Sequence, residues 1–290
     1  MSETLYGRHP LVWITGAGGL IGHYLVHAAA QFAPGWQARP LVRSDLDLTD
    51  QAKVTSLFRQ EQPAAIIHCA ALSKSPDCQA NPALARELNI QVTQLLCELA
   101  QKIPLIFFST DLVFDGLQGN YDEASPVNPL SVYAQTKAAA EQFVLFNPRH
   151  IVIRTSLNGG TSPTGDRGFN EQLRHAWQAG QMLRLFTDEF RCPIHAEVTA
   201  RACWELLIKN QPGLYHLAGS ERLSRWQIGQ LIAPRWPQLH PKIIPTSFKE
   251  YQGAPRSPDT SLNCAKAQKL LSFRIPGLTD WLAAHPNESF

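Results

Sequence analysis

The sequence predicts an α/β fold built on a doubly wound, parallel sheet, and three observations carry that expectation. Short apolar runs alternate with helix-length segments through the first half of the chain, the pattern of βαβ units. A glycine-rich turn, Thr15-Gly16-Ala17-Gly18-Gly19-Leu20-Ile21-Gly22, joins the first apolar run to the first helical one. Later, Tyr133 and Lys137 stand four residues apart on a helical segment that follows a strand ending Ser109-Thr110, which puts both side chains on one face.

Taken in order, Leu11 to Thr15 reads as the first strand and about Leu20 to Phe32 as its helix. Ala38 to Val42 is the second strand, and Asp50 to Gln60 a helix with Asp47 or Thr49 near its cap. Ala65 to His68 is a further strand. Asn81 to Lys102 is a long helix opened by Asn81-Pro82, a capping side chain followed by proline in the first turn. Leu105 to Ser109 is a strand, Ser131 to Phe146 a helix, Ile151 to Arg154 a strand and Leu214 to Leu217 a late one. Asn158 to Gly168, rich in Gly, Ser, Thr and Pro, is expected to be a mobile loop. Pro234 to Pro258 carries six prolines and little periodicity, so surface crossings are expected there and not a second core. The chain then divides into a first unit at 8–156 and a smaller second region at 157–290. A strand near 213–219 would rejoin the first sheet, so the second region is interleaved with the first.

The 290 residues suffice for a sizeable core. Twenty-six basic side chains oppose 24 acidic ones, a formal charge of +2, which gives no reason to expect nucleic-acid or anionic-membrane partners. The charged fraction is low at 17%, which leaves room for a homodimer. The six cysteines form no C-x-x-C pair and match no zinc spacing, so reduced thiols in a cytoplasmic protein are expected, with no metal site. The apolar stretch Leu11 to Ala30 is interrupted by Thr15, four glycines and His23, and fits neither a leader peptide nor a membrane span.

The chemistry starts at the glycines. A dinucleotide pyrophosphate needs backbone amides and a helix N-terminus at close range, where side chains would block its approach. Gly16 allows the tight turn, Gly19 the close approach and Gly22 the packing of helix on strand; Leu20 and Ile21 open the helix beside the phosphates. The second strand ends Val42-Arg43-Ser44-Asp45. Arg43 with Ser44 suits a 2′-phosphate, so NADP(H) is preferred, and the nearby Asp45 keeps NAD(H) open. Asp47 and Leu48 follow where the chain passes the adenine. Cys69, Ala70 and Ala71 end a strand with small side chains that let the sheet edge lie against a cofactor. A lysine ammonium near a phenol favours phenolate, so Lys137 is expected to bring Tyr133 towards the working range and make it a proton donor to a carbonyl receiving hydride.

The ordered set Thr15-Gly16-x-x-Gly19-x-x-Gly22, Cys69-Ala70-Ala71 and Tyr133-x-x-x-Lys137 resembles the extended short-chain dehydrogenase/reductases, a Rossmann-type family. Phe108-Ser109-Thr110-Asp111-Leu112-Val113-Phe114-Asp115-Gly116 is similar to the S-T-D-Y-V-F-D-G block of the dTDP-4-dehydrorhamnose reductases. So are Asp47-Leu48-Thr49-Asp50, Arg154-Thr155-Ser156, Tyr215-His216-Leu217-Ala218-Gly219 and Pro255-Arg256-Ser257 with Leu262-Asn263 and Lys266. The resemblance spans nearly the whole chain. It implies a catalytic trio of Thr110, Tyr133 and Lys137, with Thr110 on the substrate carbonyl, Tyr133 as acid, and Lys137 on both the nicotinamide ribose and the Tyr133 pKa. It implies substrate contacts at Asp111, Leu112 and Leu157, NADPH or NADH as hydride donor, and the C4 ketone of a nucleotide-linked 6-deoxysugar as acceptor.

The chain departs from that family in the sugar pocket. Leu112 stands for the Tyr of S-T-D-Y, Leu157-Asn158-Gly159-Gly160 for Trp-Val-Tyr-Gly, and Cys192-Pro193-Ile194-His195 for G-S-P-T. With fewer rings lining the pocket, dTDP-4-dehydrorhamnose is expected to be a poor substrate. Leu112 also removes the acid that a sugar-nucleotide dehydratase places after Thr-Asp. A sugar-nucleotide epimerase needs only the trio, but the late blocks speak against it. An NADP-binding regulatory subunit similar to that of methionine adenosyltransferase is the alternative of another class. Trp177, Trp204 and Trp226 read as packing residues, and His195 and His216 as structural.

Overall fold

The computed structural model describes residues 9–288 and 290. The expected start of the first unit, at residue 8, lies outside them. Five strands come first: β1 (Leu11–Thr15), β2 (Gln37–Leu41), β3 (Ala65–His68), β4 (Leu105–Thr110) and β5 (Ile151–Thr155). Between them run α1 (Leu20–Phe32), α2 (Gln51–Glu61), α3 (Ser75–Ala80), α4 (Pro82–Arg86), α5 (Val92–Leu99) and α6 (Val132–Leu145). The second half supplies β6 (Asn158–Gly159), α7 (Phe169–Gln178), β7 (Met182–Phe186), β8 (Phe190–Arg191), β9 (Ile194–His195), α8 (Ala196–Ile208) and β10 (Gly213–Leu217). Then come β11 (Leu223–Ser224), α9 (Arg225–Ile232), β12 (Lys242–Thr246), α10 (Ala265–Gln268) and α11 (Leu278–Ala284).

The main sheet has the order β10-β5-β4-β3-β1-β2, and its strands pair in parallel. Its central strands are buried on both faces, which is why they read as near-continuous apolar runs. Alternate residues feed two cores. Val12, Ile14, Ile67, Ile106 and Ile153 pack towards α1 and α8. Trp13, Ile66, Phe107 and Val152 pack towards α2, α5 and α6. From β1 the chain goes to β2 on one side and then crosses to β3 on the other, and such a switch point, between β1 and β3, opens a crevice at the carboxyl ends of the strands.

Several expectations need correction. Asp50, not Asp47 or Thr49, caps α2 by accepting from the Lys53 amide at 3.1 Å. Asp47 instead accepts from the Thr49 amide and hydroxyl, closing a local turn. The long helix over 81–102 is broken into α4, a π turn (Glu87–Gln91) and α5, and is preceded by the unanticipated α3. The segment 234–258 is not merely a surface crossing. It contains β12, which pairs with β7, and it contributes Trp236 to a separate core with Leu173, Trp177, Leu185, Ile228, Ile232 and Trp281. Prolines at 241 and 245 hide this strand from a periodicity reading, because β12 is a short edge where a missing N–H is tolerated.

Candidate active site

A cleft of about 1420 Å³ opens at the carboxyl ends of the main strands, between the sheet and the second region. On the sheet side it is lined by the glycine turn. Gly16 has φ +67°, and a Cβ there would lie 2.6 Å from the Ala70 amide nitrogen. A Cβ on Gly22 would lie 2.4 Å from the Gly16 carbonyl oxygen, so this glycine packs the helix against the turn itself. Gly19 is the N-cap of α1 and offers no side chain, which leaves first-turn amides of a thirteen-residue helix open to the cleft. A glycine-only cradle at a helix N-terminus fits a dinucleotide pyrophosphate.

Beyond the cradle, Leu20, Ile21, Arg43, Asp47, Leu48, Cys69, Ala70 and Ala71 all line the cleft. Arg43 is largely exposed and faces Asp47 at 3.8 Å. Ser44 is the exception among the anticipated cofactor residues: it is not part of the lining, and its hydroxyl turns to Asp45 at 3.5 Å.

Thr110, Tyr133 and Lys137 reach the cleft from β4 and α6. Ser131 caps α6 by accepting from the Ala134 amide at 3.3 Å, which fixes where Tyr133 and Lys137 emerge. The Thr110 hydroxyl accepts from the Leu112 amide and donates to Asp111 Oδ1, both at 3.2 Å. Lys137 is buried with its ammonium 3.8 Å from the Phe107 ring centroid, and burial brings its pKa down to about 7 against the opposing pull of Glu141. The expected lowering of the Tyr133 pKa is not what the structure shows. Burial raises it, the charges of Asp111 and Cys78 add to the rise, and the nearby Thr110 hydroxyl opposes them. The physical reason is desolvation, which disfavours the charged ammonium of Lys137 and the charged phenolate of Tyr133 alike.

Asp111 also departs from its anticipated place. Its carboxylate accepts from Ser156 at 2.7 Å and Thr260 at 2.9 Å, faces Arg191 at 3.7 Å, and is absent from the cleft lining. Leu112 and Leu157 do line it. The loop at 160–168 is held to α7 by hydrogen bonds. Buried Glu171 accepts from the Ser162 amide and hydroxyl and from the Arg167 and Gly168 amides, at 2.7 to 2.9 Å. From this loop Asp166 meets Lys74 across the cleft at 3.9 Å.

The second region contributes residues that sequence reasoning missed. Fully buried Glu189 faces Arg225 at 2.8 Å and Arg191 at 3.2 Å, and pairs with Arg256 through both carboxylate oxygens. Burial alone would raise the Glu189 pKa, but the guanidiniums of Arg225, Arg256 and Arg191 bring it down to about 2. All three arginines line the cleft, outnumbering the carboxylate that holds them. Arg225 lies over Phe169 at 4.6 Å, and Arg256 over Phe186 and Tyr251 at 5.2 and 5.1 Å. These three rings line the cleft too, so the aromatic surface missing at Leu112 and Leu157 to Gly160 is supplied from elsewhere. Only Arg256, in Pro255-Arg256-Ser257, carried a signal in the sequence.

His195 and His216 are buried away from the cleft. His195 stacks on Trp281 at 4.1 Å, and His216 pairs with the Tyr121 carbonyl at 3.0 Å. Among the described residues no cluster of three or more His, Cys, Asp or Glu could hold a metal ion, and no helix is long and apolar enough to cross a membrane.

Comparison with known proteins agrees with this geometry. The chain is similar to the Xenopus laevis methionine adenosyltransferase 2 subunit beta, at 28% identity over 89% of this chain and 81% of that one. It is similar to a dTDP-4-dehydrorhamnose reductase from Sinorhizobium fredii, at 29% identity over 91% and 92%. Its fold matches a Bacillus anthracis dTDP-4-dehydrorhamnose reductase solved with NADP, at TM-score 0.85 and 23% identity, covering 96% of this chain and 98% of that one. The RmlD substrate binding domain matches residues 11–287. With glycine turn, strand-end Thr110 and the Tyr133–Lys137 face all within that match, the chain belongs to the RmlD substrate binding domain family.

Proposed function

We propose that the protein is an NADPH-dependent reductase of a carbonyl group, the C4 ketone of a nucleotide-linked deoxysugar, with NADH as a weaker donor. The observation that carries this reading is the arrangement of one cleft. The glycine cradle stands at one end, Thr110, Tyr133 and Lys137 line the same cleft, and an arginine cluster set among aromatic rings comes from the second region. The dinucleotide supplies hydride when bound. Gly16, Gly19 and Gly22 admit its pyrophosphate, and Arg43 stands where a 2′-phosphate needs a cation.

The chain's own residues then handle the carbonyl oxygen. The Thr110 hydroxyl swings its proton from Asp111 to that oxygen and orients it. Tyr133, kept as a neutral phenol by burial, gives its proton as alkoxide charge develops. Lys137 holds the ribose and, when protonated, stabilises the phenolate left behind. Arg191, Arg225 and Arg256 offer guanidinium donors to a diphosphate, and Phe169, Phe186 and Tyr251 offer faces to a base or sugar. These rings, with Leu112 and Leu157, set which sugar nucleotide is accepted.

A cytoplasmic setting belongs to this proposal, in keeping with six unpaired thiols. So does a homodimer, in keeping with the exposed Phe143, Leu145 and Phe146 at the end of α6. The test is NADPH oxidation against a panel of 4-ketosugar nucleotides that includes dTDP-4-dehydrorhamnose. Turnover of at least one supports the reading. Silence across the panel, together with a stable complex with a methionine adenosyltransferase, would favour the second reading, a regulatory subunit, which rests on the likeness to the Xenopus laevis protein.

A further inference from the structure

Beneath the cleft runs a chain of buried polar groups that the proposed chemistry does not use. Its centre is His68, at the end of β3 and fully buried. His68 Nδ1 meets the Thr15 hydroxyl at 2.7 Å, and Nε2 meets the Thr93 hydroxyl at 3.1 Å. The proton directions follow from the partners. The Thr93 hydroxyl spends its one hydrogen on the Asn89 carbonyl at 2.8 Å, so Nε2 must carry the proton that joins it to Thr93. A neutral ring protonated at Nε2 presents Nδ1 as an acceptor, so Thr15 donates to it. The Thr15 oxygen is then free to accept from the Ala70 amide, at 3.4 Å.

The chain continues from Asn89, which sits in the π turn of the α4–α5 helix. Its side-chain amide donates to the Leu72 carbonyl at 3.1 Å and to the Thr136 hydroxyl at 2.9 Å, and its oxygen accepts from the Leu72 amide at 2.8 Å. Thr136 in turn donates to the Tyr133 carbonyl at 2.7 Å. One directed path therefore leads from the Ala70 amide, against which Gly16 packs, to the turn of α6 that carries Tyr133 and Lys137.

We propose that His68 is a positioning residue, a neutral two-sided relay that holds Ala70-Ala71-Leu72 under the glycine turn in register with the Tyr133–Lys137 face. The inference rests on the reading that this cleft takes a dinucleotide. Two features suit His68 to the task. Its rigid ring spans two hydroxyls on different elements with one acceptor and one donor. It also stays neutral, because burial and the nearby Lys137 charge hold its pKa down to about 3. A charged ring would carry hydrogens on both nitrogens and reverse the Thr15 bond.

The test compares His68→Phe, which keeps a ring beside Phe107 but removes both nitrogens, with His68→Gln, which keeps one donor and one acceptor. Three quantities are read at a temperature where each variant is folded: the NADPH dissociation constant by fluorescence, kcat, and amide hydrogen exchange of the protein without nucleotide. His68→Phe should raise the dissociation constant and lower kcat by about tenfold each, and should speed exchange at both 70–72 and 133–137. His68→Gln should stay within about threefold of the parent on all three readouts. A residue that only stabilises the fold would lower the melting temperature and leave the folded protein's binding and turnover untouched. The proposal falls if His68→Phe stays within about twofold of the parent, or if His68→Gln is as impaired as His68→Phe. Should His68→Phe fail to fold, Thr15→Val breaks the same path and carries the same expectations. If the parent binds neither NADPH nor NADH, the proposed function fails by itself. The relay is then judged on exchange alone: it stands if both segments loosen together and falls if only 70–72 does.

Discussion

The Lys137 ammonium rests 3.8 Å from the centroid of the Phe107 ring, on the face of the sheet that also carries His68. A cation on an aromatic face retains part of its solvation, but much less than water provides. Burial brings Lys137 down to about 7 against the opposing pull of Glu141, so its charge changes near neutral pH.

A pH dependence follows. kcat/KM for NADPH should decline above about pH 7 as Lys137 loses its proton in the free protein, and that limb should vanish in Lys137→Met. A limb that survives the substitution unchanged would assign it to another group. Stability should move the other way. The unfolded chain holds the lysine proton up to about 10.5 and the folded chain only to about 7, so the folded state gains stability from this group as pH rises across that window. Urea unfolding at a series of pH values reads this directly.

Tyr133→Phe should lower kcat by about 10²- to 10⁴-fold and leave the NADPH dissociation constant unchanged, because the hydroxyl is needed only as alkoxide charge forms. Single-turnover kinetics on a confirmed substrate, beside a fluorescence titration, separates the two effects. Retention of most of the rate would remove Tyr133 as the acid.

Arg43→Ala should weaken NADPH by roughly ten- to hundredfold and leave NADH almost unchanged, since a charge-assisted bond to the 2′-phosphate is lost in one case only. Its partner Asp47 is 3.8 Å away and half exposed, too weak a tie to hold the guanidinium back. Equal losses for both nucleotides, measured by calorimetry, would show that Arg43 meets something other than the 2′-phosphate.

Glu189→Gln should destabilise the fold by about 3–5 kcal/mol, the usual cost of stranding buried charge, because three guanidiniums lose their shared carboxylate. Denaturant unfolding at neutral pH measures it. The native carboxylate titrates near 2, below its ordinary 4.5, so its stabilisation is complete above about pH 4.5 and fades as pH falls towards 2. The variant's unfolding curve should lack this acid-sensitive component.

What the sequence determined by itself was whatever depends on neighbours along the chain. The first strand, the glycine turn and α1 are contiguous, and Gly16 must combine φ +67° with the absence of a Cβ against the Ala70 amide, which one residue type does. Tyr133 and Lys137 share a face through helical spacing alone. The alternation of buried strands with helices marked the parallel sheet, because strands covered on both faces leave long apolar runs. Tertiary structure decided what depends on distant segments meeting. Glu189, Arg191, Arg225 and Arg256 are spread over 68 residues of chain with no periodic relation, and they form a cluster only because β8, α9 and the segment before Asp259 converge. The rings of Phe169, Phe186 and Tyr251 reach the cleft the same way, so reading Leu112 and Leu157 to Gly160 alone understated its aromatic surface. The Lys137 and Tyr133 pKa values also lay beyond local reading. The i, i+4 spacing identifies the pair, but the sign of each shift is set by desolvation, which is a property of everything packed around them.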